Sequence, residues 1–323
     1  MRCVGLVIAS SAFSLLVARG ALADCRPAAP CVDAEPMWQS PSAVRFSTIS
    51  DTRGLPAYKL GVGITFTLRF RPAVLNVPSP NQGGRDVNLV SHAEATALTA
   101  RWGIGNGMEL TALAAGLSQQ GAGIKGITSQ SAPPIDSPVL QDPRIGFGYA
   151  LNTGSRRWGA KLRFEAKLPL GNAVALAGET SFVASPSLAF SFKQGGLFAG
   201  LELGARLRNP TDFFGLRVGS QASLSAGVGY ELSALPLAFV LELYALPSLI
   251  DSGVNASLPA EWLYTTRFAP KLFGDFSLGA GAGAGAGLPL SAGVGGANLG
   301  FGLPSFRALA YVRYTPGAEL TTP

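Results

Sequence analysis

The chain reads as all-β: a closed, antiparallel, up-and-down transmembrane β-barrel of about 12 strands. Three observations predict it. Apolar and polar residues alternate with period 2 along most of the chain. The connections between the alternating segments run short, long, short, long from one end to the other. The composition is apolar, yet beyond the N-terminus no run approaches the ~18 apolar residues of a spanning helix.

The alternation is clearest from Arg157 to Leu168. Arg157, Lys161, Arg163, Glu165 and Lys167 fall on one face; Trp158, Ala160, Leu162, Phe164, Ala166 and Leu168 fall on the other. In a strand these faces point in opposite directions, so they meet different solvents. Repeated along the chain, the pattern fits lipid outside and a polar lumen inside. Charged residues make up only 14% of the chain, against roughly 25% in an ordinary globular domain. Mean hydropathy is +0.29, as alternating spanning strands require. The pI near 9.4 does not indicate a nucleic-acid partner, because the basic residues alternate along strands and form no basic helix or aromatic-basic patch.

In chain order, Arg2, the apolar stretch Val4 to Val17 and Ala21-Leu22-Ala23 read as a signal peptide over 1–23, cleaved before Asp24. Lipidation at Cys25 is disfavoured by Asp24, which stands where a lipobox needs a small residue. Cys3 leaves with the signal, so Cys25 and Cys31 form an even pair in an oxidising compartment and are expected to be disulfide-bonded. A metal site there lacks partners. Residues 24–57 hold five prolines without periodicity and read as an irregular leader, either periplasmic or folded into the lumen.

The barrel is expected over 58–315, with a tail at 316–323. Its first strand starts near Tyr58, where Lys59, Thr65, Thr67 and Arg69 alternate with Leu60, Val62, Ile64, Phe66, Leu68 and Phe70. Eleven more follow at about 88–102, 107–117, 142–152, 156–169, 182–193, 196–209, 219–233, 236–248, 261–271, 274–288 and 303–315. Each reaches the ~9–11 residues that a tilted strand needs to cross a hydrocarbon layer. Short connections such as Gly103–Asn106 and Gln194–Gly195 alternate with long ones at 71–87, 118–141, 170–181, 210–218, 249–260 and 289–302. Short periplasmic turns and longer external loops belong to outer-membrane barrels.

The segments Leu89-Val90-Ser91-His92, Gly107-Met108-Glu109-Leu110, Asp142-Pro143-Arg144-Ile145-Gly146 and Lys167-Leu168-Pro169-Leu170-Gly171-Asn172 carry a family resemblance. Across roughly 58–315 the chain resembles the transporter-like, porin-like barrels grouped with phenol meta-pathway outer-membrane proteins. It also resembles the N-terminal barrel of large OmpA-type proteins. The resemblance implies a 12-stranded porin-like barrel in the bacterial outer membrane, and transfers no cargo and no binding residues.

His92 and Glu94 are expected to share the lumenal face of the second strand. They are the best catalytic candidates, but Ser91 would point the other way, and a lumen histidine bonded to a carboxylate is the plainer reading. The run Gly279 to Gly287 alternates Gly with Ala. Inward glycines there make either a groove, for solute or leader, or a bend that lets the barrel close around larger neighbours; the bend is favoured. No cofactor and no metal are expected. The favoured function is a channel or transporter for small solutes, ahead of a closed structural or surface-interaction barrel and of an enzyme. Lumen-lining candidates are Lys161, Arg163, Glu165, Lys167, His92, Glu94, Glu202 and Arg206. Thirteen inward bases against eight inward acids, the latter including Glu94, suggest anion preference, with Lys161 and Arg163 contributing most. Expected partners are membrane lipid, a small polar or anionic solute and the outer-membrane assembly machinery.

Overall fold

The structure, a computed structural model, describes residues 33–35, 37–77, 85–123, 138–151, 155, 157–179, 181–213, 216–232, 234–249, 257–270, 274–289 and 303–317. Its strands are β1 (Leu60–Val77), β2 (Arg85–Gly105), β3 (Met108–Gln120), β4 (Pro138–Leu140), β5 (Arg144–Leu151), β6 (Trp158–Lys167), β7 (Val183–Gln194), β8 (Leu197–Arg206), β9 (Thr211–Phe213), β10 (Leu216–Val218), β11 (Gln221–Glu231), β12 (Leu237–Ala245), β13 (Ser257–Phe268), β14 (Phe276–Pro289) and β15 (Phe306–Tyr314). Twelve of them close one antiparallel barrel in the order β1-β2-β3-β5-β6-β7-β8-β11-β12-β13-β14-β15. The ring is sealed by β1 against β15, from Val62↔Tyr314 to Phe70↔Phe306.

The pleat sorts the side chains. On β6, Leu162 and Phe164 are exposed on the outer face while Lys161, Arg163 and Glu165 are buried inside. On β8 and β12 the leucines 201, 203, 241 and 243 are exposed, and Glu202 and Glu242 buried. Large apolar side chains left bare outside and charges buried inside invert a water-soluble protein, and match a barrel set in lipid. Aromatic pairs flank the band. Trp158–Phe192 (4.6 Å between centroids) and Phe276–Tyr314 (4.8 Å) lie at the short-turn end, and Phe70–Phe306 (6.0 Å) at the long-connection end. The first short turn places Gly105, Asn106 and Gly107 all at positive φ, where glycine and asparagine are the least strained residues.

Three expected boundaries shift. The connection foreseen at 71–87 shrinks, because β1 continues to Val77 and β2 begins at Arg85, past a register shift after Phe70. The strand foreseen at 142–152 is β5, which starts only after Pro143, a residue with no N–H to give the ladder, and the short β4 lies in the connection foreseen at 118–141. The connection at 210–218 contains a small hairpin, β9 with β10, outside the barrel wall.

Candidate functional site

The barrel is not empty. From Asp33 to Leu55 the leader threads the lumen from the long-connection end to the short-turn end. Its upper end is tied by the Ala34 amide to the Leu176 carbonyl (2.9 Å), in the connection after β6. Its lower end meets the short turns, with the Tyr58 amide donating to Gly103 O (2.7 Å). Between these ends nearly every leader residue is buried, polar ones included: Gln39, Ser40, Ser42, Ser47, Thr48, Ser50 and Thr52. A segment without a ladder must satisfy its buried backbone elsewhere, and here the leader's own turn, as in Ser40 N–Ser47 O and Asp51 N–Ser42 O, and the barrel wall supply partners.

Four attachments hold it. Near the top, Glu35 pairs with Arg69 of β1 (2.8 Å) and Arg307 of β15 (2.9 Å), and Asp33 with Lys167 of β6. Burial pushes the Glu35 carboxyl up, but the Arg307 and Arg69 guanidiniums outweigh it and hold the group down at about 2. Next, the Trp38 ring is flanked by the guanidiniums of Arg144 (4.4 Å) and Arg206 (4.6 Å), and its Nε1–H donates to Glu165. Desolvated cation–π contacts of this kind contribute about 2 kcal/mol each. Third, Glu242 of β12 accepts from the Ser47 amide (2.8 Å), the Thr48 amide (2.8 Å) and the Thr48 hydroxyl (2.8 Å). Beside it, Glu202 of β8 accepts from the Ser50 amide and hydroxyl, both at 2.8 Å, and Lys161 Nζ donates to Asp51 O (3.0 Å).

The fourth attachment is apolar. Phe46 and Ile49 pack with Phe198, Ala238 and Val240. Phe46 meets the Phe198 ring edge-on at 5.5 Å. Its own ring lies over Gly200 of β8 and Gly227 of β11, where an added Cβ would come within 2.7 and 2.6 Å of it. Two paired glycines in facing register thus make the socket.

Six of the eight lumen-lining candidates take part. Lys161 is ion-paired with Glu109 of β3, Arg163 lies between Glu165 and Glu202, Lys167 reaches Asp33, and Arg206 stacks on Trp38 and donates to the Tyr244 hydroxyl. Among the described residues, ten buried bases face eight buried acids.

His92 and Glu94 are corrections. The inward residues of β2 are Ala93, Ala95, Ala97 and Arg101, so His92 and Glu94 point outward, with Glu94 exposed opposite Leu68 and Ser118. This stretch is close to the long-connection end, where the outside is polar. Ala93 and Ala95 there pack on Leu117, Leu176 and Ala34. The usual sorting is reversed, and one position of slip exchanges the faces. The same slip hid Arg101, which is buried and pairs with Glu109 at 2.9 Å. Arg157 and Lys59, counted as inward, are exposed beyond the strand ends.

The glycines of β14 do face inward, and they make room for neighbours. At Gly279 an added Cβ would meet the Tyr311 ring of β15, and at Gly281 the Thr265 side chain of β13. The leader is met instead by glycines of other strands: Gly200 and Gly227 at Phe46, and Gly159 of β6 at Thr52. Cys25, Cys31 and the 1–23 segment lie outside the described residues. No group of three His, Cys, Asp or Glu is placed to hold a metal ion among the described residues.

No protein-family model matches the chain, and no curated protein matches it. Solved structures do. The COG4313 outer membrane channel from Pseudomonas putida F1 is similar at a TM-score of 0.55 and 14% identity, over 82% of this chain and 97% of that one. The KdgM porin aligns at a TM-score of 0.43 and 9% identity over 79% of this chain and 98% of its own, too distant to carry an argument. The first likeness establishes the fold: these residues build a barrel of the kind found in outer-membrane channels.

Proposed function

We propose that the chain is an outer-membrane channel for small solutes whose lumen is closed at rest by its own leader, residues 33–57, and opens when that segment shifts. One observation carries the reading: the leader is held by groups that a merely structural barrel could have made apolar. Replacing buried ion pairs by packed hydrophobic residues is often neutral or stabilising, whereas this wall keeps Arg69, Arg144, Lys161, Arg163, Glu202, Glu242 and Arg307 turned to the leader. Such a wall can be watered once the leader moves. The likeness to an outer-membrane channel and the resemblance to the phenol meta-pathway barrels support the same reading. They also agree with an export signal over 1–23 and insertion by the outer-membrane assembly machinery.

With the leader displaced, Lys161 and Arg163 lose Asp51 O and the Ser50 hydroxyl and face the passage, which then prefers anions. The test is planar-bilayer conductance of the refolded full chain against Trp38→Ala. The wild type should be mostly closed, and the variant should open more often with a reversal potential favouring anions. If the variant stays as silent as the wild type, the second reading, a closed barrel whose outer loops bind a partner, takes its place. Cation preference, or no change on replacing Lys161 and Arg163 by Gln, removes the anion assignment alone.

A further inference from the structure

Resting on the plugged-channel reading, we infer that the inner wall of β8, β11, β12 and β15 is a peptide-recognition site. It reads an aromatic residue followed by two backbone amides and a hydroxyl, and the leader occupies it as a dissociable ligand. The parts of the site stand in one row across the sheet. Gly200 is paired with Gly227, and Gly227 with Glu242, on adjacent strands. The glycine pair clears a socket for the Phe46 ring, floored by Phe198, which Gly229 in turn makes room for. Glu242, next in the row, takes the amides of Ser47 and Thr48 and the Thr48 hydroxyl. Arg313 of β15 donates to the Phe46 carbonyl from the far side (2.7 Å). On the next row toward the long connections, where Glu202 faces Ser225, Glu202 takes the amide and hydroxyl of Ser50.

Side-chain pocket, backbone amides and backbone carbonyl are therefore each recognised separately, as a specific peptide site requires. None of these contacts involves the link between leader and barrel. The leader joins β1 through residues 56–59, whose own bonds go to the short turn at Gly103. The site is complete without the covalent connection, so the link sets only the local concentration of its ligand. The ligand class is a Ser/Thr-rich peptide that folds into a turn, closed by its own Ser40 N–Ser47 O and Asp51 N–Ser42 O bonds, and presents a phenylalanine anchor; a leader from a second copy or a free peptide of the same sequence satisfies it.

The experiment uses the full chain with a protease site inserted between Ala57 and Tyr58, both exposed, folded first and then cut. The cut leader should stay with the barrel through gel filtration, and excess synthetic peptide 33–57 should exchange it. After dilution the conductance should rise, and the peptide should lower it again. A Phe46→Ala peptide, or the wild-type peptide against Glu242→Gln barrel, should need about tenfold higher concentration or more, as for loss of a buried anchor. Immediate loss of the cut leader with no effect of added peptide overturns the inference and leaves the plugged reading standing. High conductance, unchanged by cutting, overturns the plugged reading itself. Should the insertion block assembly, intact Phe46→Ala barrel carries the test: it should take up labelled wild-type peptide that the wild-type barrel excludes, and uptake by neither overturns the inference.

Discussion

At the scale of single residues, the lumen is governed by carboxylates that serve two masters. Glu165 takes the Trp38 indole while pairing with Arg163, and Glu202 takes Ser50 while pairing with the same arginine. Glu35 lies between Arg69 and Arg307. Its carboxyl is held at about 2, below the ordinary value, so its contribution is complete above that ordinary value and is lost only as pH falls through about 2. Closure by the upper leader should therefore survive acidification to pH 4, as read by protection of the leader from protease; release between pH 6 and 4 would exclude Glu35 as the anchor. Glu35→Gln removes the carboxylate that Arg69 pairs with, while Arg307 keeps Glu261. Losing one partner of a buried pair costs about 3–5 kcal/mol, and the same assay should find the leader loosened at neutral pH.

At the scale of elements, the strands differ in how openly they declare their faces. β6, β8, β11 and β12 carry charges inward and leucine, phenylalanine or tyrosine outward, so their register is legible from the sequence alone. β2 is not: His92 and Glu94 look like lumen residues because polarity is normally inside, but they lie near the end of the apolar band, where water is outside too. Ala93 and Ala95 turn inward because the connection after β6 folds over them through Leu176. No local pattern encodes that long-range contact. The glycine socket was equally hidden. The run on β14 advertised itself by repetition, while Gly200 and Gly227, isolated on separate strands, define the leader's seat only once the strands pair. Two outcomes follow. Leu203→Arg, on the lipid face of β8, should lower folding yield into vesicles, at a cost of about 2–4 kcal/mol near mid-membrane, whereas Glu94→Leu should not; equal yields would refute this face assignment. Gly227→Val should fold yet raise conductance, because its side chain claims the space of the Phe46 ring; an unchanged closed state would mean that the socket is dispensable.

At the scale of the whole molecule, a ring of twelve strands is narrow enough for inward side chains and one extra segment to fill it. The alternation of loop lengths made the barrel readable in advance. The sequence left the leader's place open between periplasm and lumen, because its prolines and serines carry no period and its partners are scattered over at least eight strands. A cysteine at Leu170, exposed in a long connection, should react with an impermeant thiol reagent on intact cells, and one at Gly195, in a short turn, should not. Labelling confined to Gly195 would reverse the orientation.

The central claim, that the leader closes the lumen, is tested most directly by locking it in place. The Thr52 hydroxyl of the leader lies against the Ser191 hydroxyl of β7, so a Thr52→Cys, Ser191→Cys pair can join segment to wall. Single-channel recordings of this variant should be silent when oxidised and regain openings on reduction. Openings of equal size and frequency in both states would contradict the account.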